Sequence, residues 1–95
     1  MIDQLQISQH AINRHHQRAI PWEHMEIAYL WGRTYYENKA QKIRMDRRSV
    51  QRACRLCPEQ AALFKAAEGV VLVFVKDGSL LKTVYRNRKG NRIHR

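Results

Sequence analysis

His10, Arg14 and Arg18 follow one another in steps of four residues, a spacing that puts all three on one stripe of an α-helix. An imidazole can move a proton near neutral pH, and guanidiniums can hold a phosphate and the charge that grows on it. These are the residue types that cleavage of an RNA phosphodiester needs, although a solvated face of a basic helix has the same look. Near the other end, Lys82-Thr83-Val84-Tyr85-Arg86 reads as strand. Alternation sends Lys82, Val84 and Arg86 to one side and Thr83 and Tyr85 to the other. On an open sheet face a hydroxyl and a phenol can bond phosphate or stack a base. Against helices, Tyr85 is instead a core residue with its hydroxyl satisfied by a neighbour.

A third cationic group is Arg44, Arg47, Arg48, Arg52 and Arg55, of which Arg48, Arg52 and Arg55 form a helical ridge at four- and three-residue spacing. The tail from Arg86 to Arg95 adds Arg88 and Arg92 among five cations and no acid. Ridge and tail together give phosphate-binding surfaces whose grip should weaken steeply with salt. A docking face for an acidic protein would look the same. Over the 95 residues, 18 Lys and Arg face 8 Asp and Glu, a formal charge of +10. That is beyond what solubility requires and points to a polyanionic partner.

Several function classes drop out. A chain this short closes one hydrophobic core, so a two-domain cofactor enzyme is excluded and residues 1–95 read as a single domain with a basic tail, 86–95. The longest apolar run, Val70 to Val75, is strand-sized and far short of the roughly 20 residues of a membrane span. Met1 to Ser8 lacks the basic start and apolar stretch of a secretory signal, so a cytoplasmic location is expected. Cys54 and Cys57 have CxxC spacing but no second CxxC, and the histidines cluster far upstream at His10, His15, His16 and His24. A buried and a partly exposed thiol explain them better than zinc. The few carboxylates are spread singly, which argues against a magnesium nuclease. No metal and no cofactor are expected.

The elements that must position these residues read as follows. Ser8 caps a helix over Gln9 to Arg18, with Ala11, Ile12 and Ala19 on one side, and Ile20-Pro21 ends it. Helix two runs from Pro21 to Trp31, with Gly32 in the place of a left-handed cap. Thr34 to Tyr36 and Lys42 to Met45 form a hairpin around Glu37-Asn38-Lys39. Asp46 caps a helix from Arg47 to Leu56, Pro58 interrupts it, and a helix from Glu59 to Ala67 stops at Gly69. Val70 to Val75 and Leu80 to Tyr85 form a second hairpin around Asp77-Gly78. The order gives an α+β fold, N-terminal helices packed on a small antiparallel β-sheet covered on one face.

Ser8-Gln9-His10-Ala11, Arg14 and Arg18-Ala19-Ile20, together with Val70 to Val75, Asp77-Gly78 and Thr83-Val84-Tyr85-Arg86-Asn87, resemble a bacterial family of small uncharacterised proteins with an HAxxR helix. That family is similar to RelE-like toxins and to the metal-free RNases with barnase-like and colicin-like sheets. The resemblance implies a RelE-like fold and a metal-free ribonuclease, the toxin of a toxin–antitoxin pair. It cuts RNA by attack of the ribose 2′-hydroxyl, at the ribosome or free of it, and an acidic antitoxin covers its basic face. It further implies one site lined by His10 and Arg14 with Thr83, Tyr85 and Arg86. His10 is then the general base or acid, Tyr85 a second proton carrier or stacking platform, Arg14 and Arg86 phosphate clamps and Thr83 a positioner. Arg18 and Lys82 extend the RNA-binding surface. The rival readings are a basic protein that grips RNA, DNA or an acidic protein without cutting, and an inhibitor that occupies the surface of a nucleic-acid machine. Convergence of His10, Arg14, Tyr85 and Arg86 around a pocket separates the enzyme from the binder.

Overall fold

Ser8 stands in extended geometry and its Oγ accepts the Ala11 N–H at 3.0 Å, which satisfies one of the open donors at the helix start. In the computed structural model, which describes residues 6–87, α1 accordingly spans Gln9–Gln17. It ends at Ala19, whose φ of 51° takes the left-handed turn usually left to glycine. Ala19 is therefore an exposed break and not part of the helix's apolar side. After Pro21 comes α2, Trp22–Trp31. Gly32 is not its left-handed cap: φ is −71°. It is glycine because a Cβ would stand 2.4 Å from the Ala28 carbonyl oxygen and 2.9 Å from that of Arg44.

A two-residue strand that the sequence did not announce, β1 (Gln6–Ile7), precedes α1. The first hairpin is β2 (Arg33–Glu37) and β3 (Ala40–Arg44). Its turn places both Asn38 and Lys39 at positive φ, 54° and 61°, a geometry that matches the twist of the strands. Asp46 caps α3 (Arg47–Leu56), as expected. Pro58 starts a single 3₁₀ turn to Gln60, and only Ala61–Ala66 (α4) is α-helical, so the expected helix from Glu59 is shorter. Last come β4 (Val70–Phe74) and β5 (Leu80–Arg86).

The strands form one sheet in the order β1-β5-β4-β3-β2. Every neighbouring pair is antiparallel except β1 with β5, so the sheet is mixed and not wholly antiparallel. The fold is α+β. The main core lies between the sheet and the helices: Ile43, Leu72, Phe74, Leu81 and Val84 meet Ala11, Met25, Ala28, Ala53 and Phe64. The opposite face carries a smaller cluster, Ala40, Val71 and Val73 with Tyr85. All five residues of β4 are buried, as its continuous apolar run requires. α1 runs beside β5, whose outer carbonyls it engages: Ser8 Oγ donates to Lys82 O at 2.9 Å, and Arg18 Nη1 to Val84 O at 3.5 Å. No described helix is long and apolar enough to cross a membrane.

Candidate functional site

Because Ala11 and His15 are the buried residues of α1, its neighbouring stripe turns toward the margin of β5. Arg14 Nε donates to His10 Nε2 at 3.3 Å, so the ring proton of a neutral His10 sits on Nδ1. His10, Ser8, Lys82 and Thr83 line a shallow cleft of about 360 Å³. Lys82 is exposed there because the β4–β5 register skips it: Val73 pairs with Thr83 but Phe74 with Leu81. This bulge frees one residue from the ladder and re-aims its side chain. His10, Arg14, Lys82 and Thr83 are thus brought together.

Tyr85 lies on the same face of the sheet as Thr83, one pleat further along, and packs over Val71 and Val73. Its phenol is within electrostatic reach of Tyr35 and Lys42, toward the middle of the sheet.

Arg86 does not join them. The alternation of β5 sends it to the helix-covered side, where Nη1 donates to Ala66 O at 2.6 Å and Nη2 meets His24 Nδ1 at 3.0 Å. It ties β5 to α2 and α4, and the role of phosphate clamp beside Tyr85 is corrected on that ground. The alternation of β5 already separated Arg86 from Tyr85 on the sequence.

The arginine ridge is also rearranged. Arg44, grouped with the ridge as part of one cationic surface, is a buried strand residue instead. Arg52 donates from Nη2 to Trp31 O at 2.7 Å, closing the end of α2. Arg48 is exposed and lines a separate recess with Arg33, Asp46 and Arg47. α3 packs against α4, the 3₁₀ turn at Pro58 and α2, whereas the His10 cleft is built by α1 and β5. Arg88 and Arg92 lie outside the described residues.

The helix-free face holds residues the sequence reading passed over. In the sheet register Arg33, Arg44, Val71 and Tyr85 form one row, and Tyr35, Lys42, Val73 and Thr83 the next. Burial, and then the proximity of Tyr85, pushes the Tyr35 hydroxyl above its ordinary pKa, which keeps it a neutral hydrogen-bond donor. For Lys42, burial works against the charge, but the hydrogen bond to Glu37 Oε1 at 2.7 Å and the surrounding groups outweigh it, so the ammonium titrates above its usual value.

No family model, curated protein or solved structure matches the chain.

Proposed function

We propose that this protein is a metal-free endoribonuclease working at the border between α1 and β5. The observation that carries the reading is the His10–Arg14 pair, hydrogen-bonded at 3.3 Å beside a cleft lined with Lys82 and Thr83. The imidazole, two cations and a hydroxyl that transphosphorylation uses are all there. The 3.3 Å bond is long enough for a ribose 2′-hydroxyl to replace it at His10 Nε2. His10 then takes the 2′ proton, and the oxygen attacks the adjacent phosphorus. The P–O5′ bond breaks, and His10 returns the proton to the departing 5′ oxygen. Arg14 and Lys82 balance the charge on the phosphorane, and Thr83 Oγ holds a non-bridging oxygen. A toxin whose basic surface is covered by an acidic antitoxin is the natural setting for such an enzyme.

One observation favours the second reading, a binder without cleavage: Arg86 lies on the other face of the sheet, so the four residues expected to converge do not. Incubation of the protein and its His10→Ala variant with total RNA in EDTA, free and on translating ribosomes, separates the two. The enzyme gives cleavage by the wild type alone, with fragments ending in 2′,3′-cyclic phosphate. Salt-sensitive retardation of RNA by both proteins, without a cut on either substrate, refutes the cleavage reading.

A further inference from the structure

Arg44 is only 4 % exposed, and its Nε finds no hydrogen-bond partner among the described residues. Its Nη2 donates to the Asn87 carbonyl at 2.8 Å. The carboxylates nearest in the register are committed elsewhere: Asp46 to Arg33 at 3.0 Å and Glu37 to Lys42 at 2.7 Å. Among the described residues no carboxylate pairs with Arg44. A guanidinium held out of water without a counter-charge is costly, and such a group persists in a fold when something else compensates it.

The surroundings say what that would be. Lys42 shares a face of β3 with Arg44, two residues away, and Arg33 is the Cα partner of Arg44 on β2. The phenol of Tyr35 comes from β2, beside β3, and that of Tyr85 from β5, across Val71 of β4, and the two feel one another and Lys42. The site therefore offers a fork of N–H donors, a second cation and two phenol hydroxyls. A tetrahedral oxyanion can use all of them, and a base can take the place of the Arg33 guanidinium that now lies over the Tyr35 ring.

We propose that the helix-free face of the sheet holds a phosphate-binding site centred on Arg44, which takes a phosphate of a ribonucleotide chain with Lys42, Tyr35 and Tyr85 around it. Less than 1 Å² of Arg44 Nε is accessible, so the ligand enters by turning aside the half-buried Tyr35 ring, over which the exposed Arg33 guanidinium lies at 5.1 Å. That rotation breaks no hydrogen bond of the Tyr35 side chain among the described residues. This site goes beyond the His10 cleft and does not depend on cleavage there.

The test uses the full chain with inorganic phosphate, a ribotetranucleotide and a glutamate-rich peptide as probes, each against chloride at equal ionic strength. Phosphate at roughly ten times its Kd should raise the wild-type Tm by about 5 °C or more. Arg44→Met, which keeps volume and removes the charge, should bind phosphate and tetranucleotide about tenfold or more weakly and melt at least as high as the wild type without ligand. The loss caused by Arg44→Met should be the same in a His10→Ala background, since the two sites share no residue, and that separates this site from the cleavage reading. Because Arg44→Met could misfold, the Arg44 Nε–H resonance of the wild type is followed as well, and it should shift with phosphate and tetranucleotide but not with chloride. An unmoved resonance, or equal phosphate affinity in Arg44→Met, overturns the proposal. So does a shift with the peptide alone, or a variant that melts well below the wild type, since that shows Arg44 already compensated within the fold.

Discussion

Asp46 joins the hairpin to α3, and its two oxygens do separate work. Oδ1 accepts the Ser49 N–H at 2.8 Å as the cap of α3, and Oδ2 accepts Arg33 Nε at 3.0 Å. Replacing Asp46 with Ala removes both. A lost cap costs about 1 kcal/mol on average. Ser49 is buried, so water cannot take over its N–H, and the cost moves toward about 2 kcal/mol. The ion pair adds less than about 1 kcal/mol, because the Arg33 side chain is 58 % exposed and solvent screens it. Asp46→Ala should therefore lose about 2–3 kcal/mol, a fall in Tm of roughly 10–20 °C for a domain of this size.

Asp46→Asn keeps the capping oxygen and loses only the charge, so it should lose under about 1 kcal/mol. Burial raises the Asp46 pKa, but the Ser49 and Arg33 hydrogen bonds together outweigh it and leave the carboxyl below its usual value. The charge-dependent stability is then complete above the unfolded pKa of about 3.9 and is lost as pH falls through the lower folded value. Urea unfolding followed by circular dichroism, at pH 7 and down to pH 2, reads all of this. Equal losses in the Ala and Asn variants, or an Asn variant whose deficit persists at the acid end, would refute the division of labour between cap and charge.

Gly32→Ala should lose about 2 kcal/mol or more by thermal melting, because the added Cβ meets backbone oxygens of Ala28 and Arg44 that cannot step aside. Lys39→Gly should gain about 0.5–1 kcal/mol in the same assay, since the turn holds Lys39 at a φ of 61° that glycine adopts freely. Tyr35 holds its proton to higher pH than an ordinary phenol, so its contribution is complete below the unfolded pKa of about 10 and fades as pH rises through the folded value. Spectrophotometric titration should show one late-ionising tyrosine that Tyr35→Phe abolishes. The logarithm of RNA affinity should fall linearly with log salt, and Arg44→Met should shallow that slope by about one unit in a filter-binding series.

The elements were legible where a local signal decides them. Ser8 and Asp46 as caps, Pro21 and Pro58 as punctuation and Asp77-Gly78 as a turn all act over a few residues, and the helices and hairpins fall where those residues put them. β1 was not legible, because two residues carry no periodicity and Gln6–Ile7 become a strand only by lying beside Leu80–Leu81, more than seventy positions away. Gly32 misled because two different needs, a left-handed turn and a close backbone approach, call for the same residue. For the site, the α1 stripe and the facing of Thr83 and Tyr85 follow from period alone. Arg86 needed that same period taken one residue further. Arg44 was grouped with the α3 arginines by nearness in sequence, whereas strand alternation from Ala40 through Lys42 places it on the helix-free face.

The pairing of β1 with β5 has a consequence for synthesis. The first strand and the edge contacts of α1 wait for a partner that is made more than seventy residues later. β3 likewise lacks its inner neighbour until β4 exists. Until Val70 and the residues after it emerge, α1, α2 and the first hairpin have no sheet to close on, and apolar residues such as Met25, Ile43 and Phe64 stay wet. The sheet should therefore close only once β5 has left the ribosome, and arrested nascent chains ending before Val70 should be digested by protease along their whole length. The border between α1 and β5 is in this way absent from every nascent chain too short to include Leu80.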